Sequence, residues 1–316
     1  MEGDEFRNGL QVDRGGHQGM RSRRARAVLA VVTAGVLGVA GCDAVGGNAS
    51  EPSGSAAHRI KPSPSPTPLW DRSPASLAAV GDSITRGFDA CSLLKDCTEA
   101  SWATGSDTEV DSLAVRLLGR AKAASSSWNY AVTGARMADL AGQMAQAATR
   151  KPELVTVMAG ANDACRDSAA AMTSVADFRA QFEEAMDTLR AAAPKAQVYV
   201  ASVPDLKRLW SQGRTNPLGK QVWKLGICPS MLGDPDDLAA AATERRDSVQ
   251  DRVEAYNEVL ESVCAKDKRC RFDGGAVYAY RFGTDQLSHW DWFHPSVNGQ
   301  ARLAEIAYRN ITATST

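Results

Sequence analysis

From residue 77 onward, short and mostly apolar runs take turns with longer stretches in which apolar residues recur at every third or fourth position. The short runs, at 77–80, 128–132, 154–159 and 198–203, read as strands buried on both faces, since a strand with one wet face would alternate apolar and polar side chains. The longer stretches predict helices near 112–123, 137–148, 175–193, 248–263 and 299–311. In the 175–193 stretch, Phe178, Phe182, Met186 and Leu189 fall on one helical face. Strands that alternate with crossover helices predict an α/β domain with a mostly parallel sheet covered on both sides. Ligands of such sheets bind beyond the carboxyl ends of the strands, so the residues there are the ones to inspect.

The chain before this body has a different pattern. Arg21, Arg23, Arg24 and Arg26 precede an uncharged run at 27–41, which is short for a membrane span and sized for a signal-peptide core. The acidic residues ahead of Met20 suit a signal peptide poorly, so Met1 and Met20 both stand as possible starts, and export is expected from either. The run closes on Val39-Ala40-Gly41-Cys42, which resembles the bacterial lipobox. That resemblance implies cleavage after residue 41 and acylation of Cys42, which places the protein on the outer face of the cytoplasmic membrane. A plain secretory signal with a coincidental cysteine is the alternative. Residues 42–73 are rich in Gly, Ser and Pro and include "KPSPSPTP" at 61–68. Proline at this density favours a stiff extended spacer and builds no core. The folded domain is then expected over 74–316.

Composition narrows the class further. The 316 residues are 44% hydrophobic and 23% charged, as in an ordinary globular protein. Residues 1–41 hold six Arg and four Asp or Glu, so the remainder carries 30 basic and 33 acidic residues and a net charge near −3. This balance points to no nucleic-acid partner. With Cys42 set aside, six cysteines remain, an even number that suggests disulfides in an exported protein. Cys91 with Cys97 and Cys264 with Cys270 each enclose five residues, short loops that close readily. Cys165 and Cys228 are then left for each other. The competing reading, a zinc site, lacks any C-x-x-C pair and has its histidines elsewhere.

The strand ends carry the candidate chemistry. The first strand runs into Gly81-Asp82-Ser83, the second into Thr133-Gly134-Ala135 and the third into Gly160-Ala161-Asn162-Asp163. Together they offer a hydroxyl, an unencumbered backbone N–H and a side-chain amide, the groups that acyl transfer needs. Each has a plainer role: Ser83 could cap a helix, Gly134 could serve a turn, and Asn162 or its neighbour Asp163 could stabilise a loop. A base is supplied by "DWFHPSVNGQ", where Asp291 and His294 lie three residues apart. Of the four histidines, His17 and His58 fall in the leader and spacer, and His289 is expected as a loop residue at the entrance. Five tryptophans, Trp102, Trp210, Trp223, Trp290 and Trp292, suit sugar stacking, an acyl groove or core filling equally well.

G-D-S alone is a common tripeptide, but its order with G-x-N-D and a terminal D-x-x-H-P resembles the SGNH hydrolases, the GDSL lipase and esterase family, over most of 75–313. The chain departs from the name motif only in having Ile84 where that motif has leucine. The resemblance implies a three-layer α/β/α fold with a mostly parallel, flavodoxin-like five-stranded sheet. It implies Ser83 as nucleophile, His294 and Asp291 as its partners, and an oxyanion hole made of Ser83, Gly134 and Asn162. No metal or organic cofactor is implied. "NYAVTGA" and "FHPSVNGQARLAEIAY" are most like exported actinobacterial lipases and phospholipase B-like members, and the implied activity is hydrolysis of lipid-like acyl esters by a monomer. A carbohydrate O-acetylesterase of the same family and a non-catalytic surface lipoprotein are the alternatives.

Overall fold

The computed structural model describes residues 70–314. The expected leader, the Cys42 lipidation site and most of the spacer lie outside the described residues. Trp70 is already held by the fold, with its indole N–H donating to the Ile311 carbonyl at 2.9 Å.

Five parallel strands form one sheet, β1 (Leu77–Gly81), β2 (Ser127–Asn129), β3 (Leu154–Met158), β4 (Gln197–Val200) and β5 (Cys270–Phe272), in the order β2-β1-β3-β4-β5. Every residue of β1, β3 and β4 is buried, as expected of mostly apolar strands covered on both sheet faces. The chain steps from β1 outward to β2, then back past β1 to β3 and on to β4 and β5, so the winding direction reverses once. Right-handed crossovers then send the first connection to one face and the later ones to the other.

Those connections are helical. After β1 come α1 (Ser83–Arg86), α2 (Leu113–Leu118) and α3 (Arg120–Ser126), and α4 (Leu140–Ala148) lies between β2 and β3. The next crossover holds α5 (Ala161–Ala164) and α6 (Val175–Ala192). Between β4 and β5 lie α7 (Leu206–Gly213), α8 (Pro217–Trp223), α9 (Pro229–Leu232) and α10 (Ala240–Cys264). After β5 follow α11 (Ala276–Ala279) and α12 (Val297–Thr312). Helix α6 packs on both α4 and α10, and α2 packs on α12, which gives the three layers. The expected helical face of α6 is the buried one: Phe178, Phe182, Met186 and Leu189 all point inward. Among the described residues, no helix is long and apolar enough to cross a membrane.

Several expected elements differ in extent. The stretch expected as one helix at 112–123 is two, because Gly119 adopts φ 76° and breaks the ladder between α2 and α3. Of the run expected at 128–132, only the start falls in β2 (Ser127–Asn129), and the rest stays alongside β1 through the Tyr130 N–H to the Ala79 carbonyl at 2.8 Å and the Val132 N–H to the Gly81 carbonyl at 3.1 Å. The helix expected from 248 starts at Ala240. Helices α7 to α9 and strand β5 lie where no apolar run had marked an element.

The three disulfides join Cys91 to Cys97, Cys165 to Cys228 and Cys264 to Cys270. The second ties the end of α5 to the turn before α9. Buried Arg246 on α10 reinforces the same segment: its guanidinium donates to the carbonyls of Asp234 at 2.6 Å and Asp237 at 2.7 Å and lies over the Trp210 ring, 4.3 Å from its centroid.

Candidate active site

The carboxyl end of β1 is built to present a hydroxyl. Gly81 has φ 143°, a conformation that L side chains rarely adopt, and a Cβ there would lie 2.0 Å from the Met158 carbonyl oxygen of β3. Asp82 caps the single turn of α1 by accepting the Ile84 N–H at 3.0 Å, which puts Ser83 at its first position. Two buried glutamines brace the turn from either side. Gln143 of α4 accepts the Gly81 N–H at 2.7 Å and donates to the Gly81 carbonyl at 3.0 Å. Gln300 of α12 donates to the Ile84 carbonyl at 2.9 Å and accepts the Trp102 N–H at the same distance.

Ser83 Oγ lies 2.9 Å from His294 Nε2, and His294 Nδ1 lies 2.5 Å from Asp291 Oδ2. The carboxylate next to Nδ1 favours the tautomer with the proton on that nitrogen, so Nε2 faces the hydroxyl as an acceptor. Asp291 is fully buried, and its Oδ1 accepts the Phe293 and His294 backbone N–H groups at 2.9 and 3.0 Å. Trp223 of α8 donates to the Asp291 carbonyl at 2.7 Å. Phe88 and Phe293 meet the imidazole edge to face, with centroids 5.0 and 5.4 Å away.

Charge is distributed unevenly among the buried acids. Burial opposes ionisation of Asp291, but His294 and the two backbone donors outweigh it and hold the carboxyl below its ordinary range. Burial likewise opposes the imidazolium, yet Asp291, Asp89 and Asp82 together raise the His294 pKa. Asp82 is pushed up to about 7, chiefly by burial. Asp89 is pushed up to about 6 by burial and the neighbouring Asp291 charge.

The third strand end contributes Asn162, whose Nδ2 donates to the Ala135 carbonyl at 2.9 Å. This bond ties its amide to the loop that carries Gly134. Asp163, expected to stabilise its own turn, instead spans two loops by accepting the Met137 N–H at 2.9 Å and the Thr173 hydroxyl at 2.7 Å. Gly134 is exposed at φ 83°, with nothing within 4 Å of where a Cβ would lie. Ser83, Asn162 and His294 line one cavity with Ile84, Leu206, Leu209, Phe282, Leu287 and Phe293, and Gly134 is not among its lining residues. The enclosed volume is about 20 Å³, room for about one water molecule.

A profile of the GDSL-like lipase/acylhydrolase family matches residues 77–307, which span β1 and most of α12. The chain belongs to that family. Its sheet order and layers are those of the SGNH fold. Solved structures similar to this family member include an extracellular lipase from Streptomyces rimosus, 19% identical, with 76% of this chain and 100% of that one covered and a TM-score of 0.44. Another is a family 3 carbohydrate esterase from Clostridium thermocellum, 15% identical, with 75% and 94% covered and a TM-score of 0.43. No curated protein matches the chain.

The hydrolase domain answers two further expectations. Trp102, Trp210 and Trp223 are core residues with their indole N–H groups bonded to Thr85 Oγ1, the Pro235 carbonyl and the Asp291 carbonyl, so they offer no sugar platform. His289 is exposed beside Trp290, 4.4 Å between centroids, and does not line the cavity. As for metal donors, Asp89, Asp291 and His294 cluster together, but His294 Nδ1 is already engaged by Asp291. Among the described residues, Cys91, Cys97 and Glu99 form the other group, and its sulfurs are spent in a disulfide. Asp89 and the two bracing glutamines were not identified from sequence. Asp89 sits in "GFDACS" with no spacing to distinguish it from a surface acid.

Proposed function

We propose that this GDSL-family hydrolase is a serine esterase that cleaves carboxylic esters through an acyl-enzyme on Ser83. The observation that carries the reading is the 2.9 Å contact of Ser83 Oγ with an imidazole whose other nitrogen is held by buried Asp291. His294 Nε2 takes the hydroxyl proton as Oγ attacks the ester carbonyl, and Asp291 stabilises the imidazolium that forms. The resulting oxyanion is met by the N–H groups of Ser83 and Gly134 and by the Asn162 amide. Collapse returns the proton from His294 to the departing alcohol and leaves Ser83 acylated. Water, deprotonated by the same nitrogen, then releases the acid and restores the hydroxyl.

The apolar lining of the cavity supports an acyl chain as its occupant, and a lipid-like ester as substrate. An acyl chain much larger than a methyl group would have to displace Leu206, Leu209 or Phe282, because the space among them holds about one water molecule. That same small volume favours the second reading, an O-acetylesterase acting on polysaccharide. The arginines at 21–26, the apolar run and Cys42 support an exported lipoprotein with the domain tethered to the membrane.

Ester hydrolysis should be measured from acetyl to palmitoyl chains, on phospholipid and on acetylated xylan, with Ser83→Ala as the blank. We expect kcat/KM to be greater for octanoyl than for acetyl esters. We also expect His294→Ala to lose at least about 10⁴-fold in kcat, while His289→Ala keeps most of its activity. Strong acetate release with little activity beyond butyryl would replace the lipase by the acetylesterase. Equal hydrolysis by the wild type and Ser83→Ala would remove Ser83 as nucleophile, and no hydrolysis of any ester above background would leave a binding protein.

A further inference from the structure

Asp89 is a buried carboxyl for which the ester-hydrolase scheme above has no task. Its backbone is fixed in the left-handed region at φ 57°. The Asp89 N–H donates to the Lys95 carbonyl at 2.9 Å, and the Asp89 carbonyl accepts the Ser288 hydroxyl at 2.6 Å. The loop around it is closed by the Cys91–Cys97 disulfide and by the Arg86–Asp96 ion pair at 3.0 Å. Its side chain is wholly buried, and neither carboxyl oxygen meets a donor in hydrogen-bond geometry, although the Leu94 N–H approaches from the same loop. One carboxyl oxygen of Asp89, one of Asp291 and a ring nitrogen of His294 all lie within 4.8 Å of one another.

Two buried carboxylates side by side repel, and each wants a donor. A single proton between them answers both needs, since a protonated carboxyl donates while an ionised one accepts. We propose that Asp89 carries a proton taken from solvent and shares it with the Asp291 carboxylate, which makes Asp89 a positioning residue that sets the proton affinity of His294. The inference rests on the serine-esterase reading of the site.

Its consequence for pH follows from the groups that face it. Asp291 and His294 reach Asp89 from the C-terminal loop, and Asp82 faces His294 from the end of β1. With its carboxyl pushed up to about 6, Asp89 is neutral below that pH and occupies one side of Asp291. Above it, Asp89 ionises and its negative charge favours the imidazolium, so His294 keeps its proton to higher pH than Asp291 alone would dictate.

The test is the pH profile of kcat/KM on a short soluble ester for wild type, Asp89→Asn and Asp89→Ala, with folding checked by circular dichroism, and NMR titration of the His294 imidazole in the wild type. Asparagine keeps a donor for Asp291 and cannot ionise. We expect Asp89→Asn to hold its plateau within about twofold and to gain about threefold in relative kcat/KM at pH 5.5 as the acid limb moves to lower pH. Asp89→Ala, which removes the ionisable carboxyl as well, should move the acid limb in the same direction. An Asp89→Asn profile that superposes on the wild type overturns the inference while leaving the esterase reading intact. Should the variants not fold, the wild-type titration decides: His294 should titrate in two phases with one inflection near pH 6, and a single phase contradicts the shared proton. Wild type inactive on every ester would instead strike the esterase reading, and the titration would still report on Asp89.

Discussion

His294 is ringed by three carboxyls whose identical chemistry is divided by their surroundings. Asp291 receives two backbone N–H groups and the imidazole, and these keep it charged. Asp82 receives one, from Ile84, and its Oδ2 is buried without a partner. Burial therefore raises Asp82 from an ordinary 3.8 to about 7. Between pH values of about 4 and 7 the native protein retains a proton that the unfolded chain releases, so this group makes stability fall as pH rises through that window. The raised pKa of His294 acts in the same direction: the stability it contributes is present at low pH and is lost as pH rises through its folded value. Asp82→Asn keeps an oxygen to cap α1 but has nothing to titrate. Its melting temperature minus that of the wild type should climb by several degrees between pH 4.5 and 7.5, measured by calorimetry. A difference that is flat with pH would mean that Asp82 is ionised in the folded protein across the range.

Among the secondary-structure elements, legibility in the sequence followed burial. Strands β1, β3 and β4 are fully buried and announced themselves as apolar runs. Strand β5 is as half-buried as β2 but lacks the apolar continuation Tyr130-Ala131-Val132 that marked that strand, and its pairing with β4 is imposed by the sheet it joins. The segment 206–232 was opaque for a related reason. Its helices are short and interrupted by Gly and Pro, and much of their anchoring comes from a disulfide and from Arg246, whose contacts are with carbonyl groups that no side-chain pattern encodes. Ser83, Asn162, Asp291 and His294 were recognisable as candidates because they stand at strand ends or in one compact motif, and the fold brings the serine, histidine and aspartate into contact. Asp89 and Gln143 were not, since what distinguishes them is the neighbours that the fold brings from distant parts of the chain. The Cys165–Cys228 bridge closes a loop with a sequence separation of 63, against 6 for Cys264–Cys270. In the chain-entropy account, removing the first should cost about 4 kcal/mol and the second about 2 kcal/mol. Denaturant unfolding of Cys165→Ala/Cys228→Ala and Cys264→Ala/Cys270→Ala would measure both, and a larger loss from the short loop would show that strain or local packing outweighs loop length.

For the whole molecule, the fold places its reactive groups by topology. The sheet reverses its winding between β1 and β3, and crossovers leaving toward opposite faces open a crevice at the carboxyl ends of those two strands. Ser83 follows β1 and Asn162 follows β3, while the loop before α12 brings Asp291 and His294 over the same crevice. Buried Gln143 and Gln300 connect the two helical layers to the Ser83 turn, so the proposed nucleophile is held by the core rather than by a loose loop. Acylation of Ser83 can be read out by incubating the full-length protein with an activated alkylphosphonate ester and mapping the adduct by peptide mass spectrometry. A single adduct on Ser83 is expected, formed in step with complete loss of ester hydrolysis and absent in His294→Ala over the same time. An adduct on another residue, or full hydrolysis by protein stoichiometrically modified at Ser83, would contradict acylation of Ser83.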